Sequence, residues 1–428
     1  MKKFKCVIWS TAILLLGSIM GFLLLCGVFL LPTEPMFENA KQSSDIFVNS
    51  EEYPYLIDGY KSSILDIFTD SLMINHAVIS TDANIIESVV NVYHTNDDDT
   101  NPVNSLVKYL ESGEYEKLSS YERYWHGYLV TLKPMLLLFD YGQIRLINLA
   151  FFAMLGVIMF MLMWKKASLK YAIGLLVSVM FTMPLAIPFS LQFCTIMYIT
   201  LLAVITMLVF HEKFAKGQGY IYFFLIVGMV TSYMDYLTYP LAALGIPMVV
   251  LILLSDKETL KQKFIKIIGL SACFGVGYLG MWALKWIIGG LLTGSDVIGN
   301  AVSNIALRTS SDVDATAITF FDVVAKNFSM MSNMPFVVLA TVSIAVQTVL
   351  IAIKRIPTKE AVKEAAPFML IACMPFAWQF VTANHSYIHA WFTFRVYWIT
   401  AFACMAMLSV CFQIKNSKVR VIDKIIKK

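Results

Sequence analysis

Twenty-two of the 33 Lys and Arg residues of this chain fall into six short segments, and each segment borders apolar stretches long enough to cross a bilayer. The segments are Lys2/Lys3/Lys5, Lys165/Lys166/Lys170, Lys213/Lys216, Lys257/Lys261/Lys263/Lys266, Lys354/Arg355/Lys359/Lys363 and the tail from Lys415 to Lys428. Only six of the 29 Asp and Glu residues share those segments. Cytoplasmic loops are enriched in Lys and Arg, so the pattern predicts a multi-pass protein of the cell membrane with both termini cytoplasmic and the polar bulk outside.

A transmembrane helix takes about 20 apolar residues. On that ruler the chain, 58% hydrophobic, divides into ten spans: 6–31, 145–164, 171–191, 194–211, 219–237, 239–255, 267–291, 335–353, 368–383 and 388–413. The expected fold is thus an all-α polytopic integral membrane protein. Its parts are a first helix (1–31), an outer loop or cap (32–144), spans two to seven (145–291), a second outer loop (292–334), spans eight to ten (335–413) and a basic tail (414–428). The apolar run from Cys6 to Leu31 is longer than the apolar region of a signal peptide, and no small-x-small site follows it. The first helix is therefore expected to stay uncleaved.

Basic inner segments are explained by anionic membrane lipids, so no nucleic-acid partner is required. All seven cysteines lie in apolar spans, which offers neither a disulfide framework nor a thiolate metal site. In the outer loop, Ile64, Leu65, Phe68, Leu72 and Met73 recur at helical spacing, and Tyr121 to Leu138 is aromatic first and apolar later. Both stretches read as helices lying at the membrane interface, as does Ala317–Phe328 in the second loop. Asp97-Asp98-Asp99 reads as a solvated turn or a loose cation site.

Ionisable groups near membrane depth are costly and mark candidate sites. Asp235, among aromatic residues in SYMDYLTYP (232–240), is either a functional carboxylate or a turn cap bonded to Ser232 or Thr238. His385 and His389 share a helical face, with Arg395 further in. That trio suits a phosphate, a structural pairing with an acid, or, weakly, a metal. Asp66 and Asp70 also share a face, near Asp58. They are either a pair whose mutual repulsion creates a base or a solvated acidic surface. Pro184 and Pro188 break a helix before Gln192, which is either a contact for a sugar hydroxyl or part of a bare helix-end turn, and Lys285 between Trp282 and Trp286 is either a second phosphate contact or a lysine snorkelling to the interface. All of these fall at the outer leaflet under one topology.

A first span followed at once by a long outer loop with acids, then a bundle with outward-facing basic residues, resembles the GT-C superfamily of polytopic membrane glycosyltransferases. The segments 232–240 and 384–395 (NHSYIHAWFTFR) also resemble stretches of Gram-positive membrane proteins. The resemblance implies transfer of a sugar from a polyprenyl-phosphate carrier to a cell-envelope glycan or lipid acceptor on the outer face. It also implies an outer-loop acid as base, drawn from Asp58, Asp66, Asp70, Glu34 and Glu38, with Arg395 and Lys285 or a histidine at the phosphate. The chain departs from that pattern in lacking paired acids directly after the first span. No cofactor is fixed by the sequence, a divalent cation being the one open candidate. A flippase or transporter for a lipid-linked glycan, or a non-catalytic scaffold of envelope assembly, is the alternative.

Overall fold

A computed structural model describes residues 2–98, 101–255, 257–332, scattered positions between 335 and 349, and 359–426, with side chains described through 411. The chain is mostly helical. Among the described residues six helices are long and apolar enough to cross a membrane: Phe4–Phe29, Tyr141–Lys166, Leu191–Phe214, Leu260–Thr293, Val362–Val381 and Ala390–Cys411. Leu169–Thr182, Gly219–Met234 and Ala242–Leu253 are apolar but shorter. The expected eighth span, 335–353, lies largely outside the described residues. Where the expected tail begins, the backbone continues as helix to Ile426.

The elements that position the site run as follows. Helix α1 is Lys2–Phe29. The segment expected as an outer cap holds α2 (Thr33–Gln42), α3 (Ser44–Val48), α4 (Ile67–Val78), α5 (Ile85–Asn91), α6 (Pro102–Ser112) and α7 (Leu129–Leu136). The bundle follows with α8 (Tyr141–Lys166), α9 (Leu169–Val179), α10 (Leu191–Phe214), α11 (Gly219–Met234), α12 (Ala242–Leu253) and α13 (Leu260–Thr293). Then come α14 (Val297–Arg308), α15 (Phe320–Met331), α16 (Lys359–Ala372), α17 (Met374–Val381), α18 (Ala383–Ile388), α19 (Ala390–Thr393) and α20 (Tyr397–Ile426). Two minimal two-residue antiparallel strand pairs occur among the described residues, pairing His94 with Ser119 and Asp312 with Ala317, beside a single bridge between Tyr55 and Ile64.

Two apolar cores form. One fills the bundle around α10, α12 and α20. The other is centred on the cap helices and continues into the bundle through Leu25, Leu191, Leu225, Met229, Tyr233 and Met281. Helix α4 departs from the interfacial expectation. Its apolar residues Ile67, Met73, Ile74, Ala77 and Val78 are all buried, because α2, α6 and α7 pack around it and leave no face for lipid. The Tyr121–Leu138 stretch is helical only from Leu129, and its aromatic part is irregular. In the second loop the expected helix forms as α15, capped by Thr319 and Asp322. Helix α14 exposes Ile298, Val302, Ile305 and Leu307, the apolar face expected of an interfacial helix.

Helices α11 and α13 cross at glycines. A Cβ on Gly228 would overlap the Phe274 carbonyl oxygen, and one on Gly277 would overlap that of Leu225. Small residues at a crossing let helix backbones touch. This contact fixes the α13 face carrying Tyr278 and Trp282 beside the end of α11, where Asp235 stands.

Candidate functional site

Four of the candidate residues fasten the cap to the bundle. Asp70 is fully buried; its carboxylate accepts from Tyr141 Oη at 2.5 Å, Leu191 N at 2.9 Å and Gln192 N at 3.3 Å. It therefore sits on the N-terminus of α10, where free N–H groups and the helix dipole favour a negative charge. Asp66 caps α4 by accepting from Thr69 N at 2.9 Å, and its own N–H donates to Ser190 Oγ at 2.9 Å. Neither acid is on a solvated face. Burial raises the Asp66 carboxyl to about 6, against the opposing pull of Thr69, Trp391 and Arg395. Burial likewise raises Asp70 to about 7, with the charge of Asp66 only a secondary contribution.

Arg395 is completely buried. Its guanidinium donates to the carbonyls of Thr182 at 3.0 Å and Trp391 at 2.7 Å, reaches Ser62 O at 3.5 Å, and lies over the Phe193 ring at 4.1 Å. Lys285 donates to Val90 O at 2.7 Å, in the last turn of α5. A cation there meets the unpaired carbonyls of a helix C-terminus. Both residues expected at a phosphate are thus occupied by backbone carbonyls.

Asp235 behaves as a turn cap: it accepts from Thr238 N at 2.9 Å and Thr238 Oγ1 at 2.5 Å, with Thr195 Oγ1 at 3.4 Å. Ser232 Oγ has no partner. Gln192 is buried with its amide oxygen unpartnered, and Asp58 is exposed on a turn of the cap. His385 donates from Nε2 to Leu237 O at 2.8 Å, and the His389 ring lies 4.9 Å from it with Nε2 3.0 Å from Arg308. Arg308 can only donate, so His389 accepts through Nε2.

The geometry gathers around a residue set that the sequence reading passed over. A cavity of about 420 Å³ opens between the turn after α11, α12, α13, α14, α17 and the aromatic segment of the cap. Its polar rim carries Arg123, Arg308, Asn304, Tyr121 and Tyr124, and its apolar wall is formed by Leu241, the buried Leu244 and Phe274, Trp282 and Trp378, with Leu279 reaching it from an exposed position. Three polar atoms of α13 lining it have no partner: Ser271 Oγ, Tyr278 Oη and Trp282 Nε1. Buried polar groups are normally hydrogen-bonded, so three orphans in one wall mark a place for a polar ligand. Leu237 also lines the cavity at φ +64°, a conformation costing a non-glycine residue on the order of 1–3 kcal/mol. Asp235, His385, His389 and Arg395 do not line this cavity. Two of them stand one residue behind it, His389 against Arg308 and His385 against the Leu237 carbonyl.

Behind the Tyr121 ring runs a chain of hydrogen bonds. His94 Nδ1 meets His76 Nε2 at 3.3 Å, His76 Nδ1 meets Tyr128 Oη at 2.9 Å, Tyr128 Oη meets Tyr236 Oη at 2.6 Å, and Tyr236 Oη meets His126 Nδ1 at 2.6 Å. The chain ends on Tyr121 O, 2.6 Å from His126 Nε2. A carbonyl only accepts, so His126 carries its proton on Nε2, and every other proton then points the same way along the chain. All three rings are neutral in this scheme. Burial lowers His94 to about 4 and pushes His76 and His126 well below the usual imidazole range.

Those shifts predict a pH dependence. Histidines depressed in the fold take up protons first in the unfolded chain, so their contribution is lost as pH falls below about 6.5. Asp66 and Asp70, raised in the fold, take up protons first in the folded chain and oppose that loss between about pH 7 and 4. Near pH 7 the two sets nearly cancel. Between pH 5 and 4 both carboxyls are already protonated in the fold while the buried histidines still resist charging, so stability falls as the pH drops. Denaturant unfolding followed by tryptophan fluorescence at pH 7, 5 and 4 checks this, and stability that rises on acidification contradicts neutral buried histidines.

Among the described residues no three His, Cys, Asp or Glu side chains converge on a metal position. The Asp97–Asp98 turn is structured instead, with Asp97 accepting from the backbone of Glu116 and Lys117 and Asp98 from Asn101. Comparison with known proteins adds no further constraint: no family model, curated protein or solved structure matches this chain.

Proposed function

We propose that this chain is a membrane-embedded transferase that moves a sugar from a polyprenyl-phosphate carrier to a cell-envelope glycan or lipid acceptor. The observation that carries the reading is the cavity, which is cationic and aromatic at its rim, apolar in its depth and lined by three unpartnered donors. An amphipathic phosphate ester meets each of these needs. Arg123 and Arg308 replace Arg395 and Lys285 as the groups that neutralise the phosphate, through charge-assisted hydrogen bonds. The rings of Tyr121, Tyr124, Trp282 and Trp286 offer flat apolar faces with polar edges, suited to a sugar ring. Leu241, Leu244 and Leu279 receive the first part of the lipid.

The proton acceptor in this scheme is Asp235, which stands behind the cavity wall and exchanges its Thr238 contacts for the acceptor hydroxyl when substrate is bound. Asp66 and Asp70 are committed to the cap dock and Asp58 is exposed on its own turn, whereas Asp235 follows directly on α11, beside the wall that Leu237 and Tyr278 form. Asp235→Asn is expected to lower turnover by roughly 10²–10⁴-fold, the range of general-base catalysis, without weakening carrier binding. One observation favours the flippase or scaffold reading: no carboxylate lines the cavity among the described residues. Carrier binding with no transfer in a reconstituted membrane, and indifference to Asp235→Asn, would replace the transferase by that reading.

The proposed topology is ten spans with both termini cytoplasmic and residues 32–144 outside. A cysteine placed at Asp98 is expected to react with an impermeant maleimide added to intact cells, and one at Lys216 is expected to stay unlabelled. The opposite labelling pattern overturns this orientation and puts the cavity rim on the other face.

A further inference from the structure

A second, smaller pocket opens where α1 ends and shares no lining residue with the aromatic cavity. It encloses about 120 Å³ and is lined by Thr33, Ser80, Thr81, Ser88, Tyr93 and Lys133, with Phe29 and aliphatic groups completing the wall. Lys133 is the feature that needs explaining. Only 2% of it is exposed, and no carboxylate lies within ion-pair distance among the described residues. Its ammonium donates to Ala77 O at 2.6 Å, in the last turn of α4, and lies 4.9 Å from the centre of the Phe29 ring. That carbonyl occupies one of three N–H donors. Buried charges are normally paired, and a helix C-terminus supplies only a partial negative charge.

The rest of the wall is what an oxyanion requires. Thr33, Ser80 and Thr81 supply hydroxyls that can donate, Ser88 Oγ, which donates to Ala83 O at a long 3.4 Å, reaches a ligand by rotating, and no acid lines the pocket. Glu34, Asp82 and Glu87 neighbour lining residues in the chain but do not line it, and Glu87 accepts from Tyr93 Oη at 2.8 Å and sits in the N-cap turn with Asn84. The volume holds several waters, which is enough for one tetrahedral oxyanion. Phe29 is the last residue of the first apolar helix, so the pocket lies where lipid headgroups lie. Although burial pulls Lys133 down to about 8, it remains cationic at neutral pH.

We propose that this pocket is a phosphate-binding site, separate from the aromatic cavity, in which Lys133 and the Thr33, Ser80, Thr81 and Ser88 hydroxyls hold one phosphate group. That phosphate comes from an anionic lipid headgroup or from free phosphate. The site does not depend on the transferase reading, and its test is made in Arg308→Ala protein so that phosphate held at the cavity rim does not contribute.

Protein purified in detergent is titrated with inorganic phosphate, and in parallel reconstituted in nanodiscs with and without phosphatidylglycerol. Native mass spectrometry reads the bound phosphate-containing species. One such ligand per chain is expected, with Lys133→Met weakening it by at least roughly tenfold, the loss of a charge-assisted contact. Because Lys133 also caps α4, Thr81→Val and Ser80→Ala are measured beside it. They leave that cap in place and are each expected to weaken binding several-fold. Phosphatidylglycerol retained through detergent exchange and not displaced by phosphate identifies the headgroup as the source, while displacement by phosphate identifies a soluble ligand. A chain that retains neither probe, or retains one equally in all three variants, overturns the proposal.

Discussion

Arg308→Ala is expected to weaken binding of a polyprenyl phosphate by roughly ten- to 150-fold, since a hydrogen bond to a charged group is worth about 1.5–3 kcal/mol. Arg308 ends α14, lines the cavity and is held from behind by His389 Nε2 at 3.0 Å. Its removal takes away a rim charge without touching either apolar core. Quenching of the tryptophan fluorescence from Trp282 and Trp286, both in the cavity wall, reads the affinity directly. Arg308→Lys keeps the charge but loses the planar fork and is expected to recover only part of the binding. Arg395→Ala separates the two arginines. It removes the contacts to Thr182, Trp391 and Ser62 and is expected to lower the yield of folded protein more than it changes the affinity of what folds. Equal affinity in wild type and Arg308→Ala would remove the carrier from this cavity.

The second large effect is at Asp70. Asp70→Ala strands the Tyr141 hydroxyl and the Leu191 and Gln192 N–H groups in a buried interface, each at the cost of an unmade hydrogen bond. A destabilisation of about 3–4 kcal/mol is expected, near the upper end for a single substitution. Asp70→Asn keeps one acceptor oxygen but turns an NH₂ toward donors, and an intermediate loss is expected. The comparison also decides between a base and a fastener. A base neutralised to Asn loses turnover in molecules that remain folded, whereas a fastener loses folded molecules while each survivor turns over normally. Denaturant unfolding and activity per folded molecule, measured on the same preparations, distinguish the two.

The pH profile tests a different part of the same interface. The His94–His76–Tyr128–Tyr236–His126 chain joins α4, the first strand pair, the aromatic cap segment and the turn after α11. None of these residues was singled out from the sequence. Three histidines spread over fifty residues have no common spacing, and only the packing of α4 against the aromatic segment brings their rings within 5.1 Å of a neighbour. Arg123 and Arg308 were passed over for a similar reason. Each reads as an ordinary polar-loop arginine, and they share a cavity only because α14 folds back over α13.

The sequence by itself determined the apolar helices and their separation by basic segments, because a bilayer imposes a length and a charge rule that each segment must meet alone. It also marked Asp235, Lys285 and Arg395 as candidate groups near membrane depth, where an ionisable side chain is costly, and left Asp66 and Asp70 open between a base and a solvated acidic surface. What each partner would be was decided by the tertiary structure. Asp70 found a helix N-terminus and Lys285 a helix C-terminus, while Arg395 found three carbonyls, and all three spend their charge on holding the cap to the bundle. A charge on a linear chain carries no information about which backbone dipole will stand opposite it. That depends on the glycine-mediated crossing of α11 and α13 and on the second core formed between cap and bundle, contacts between segments distant in the chain.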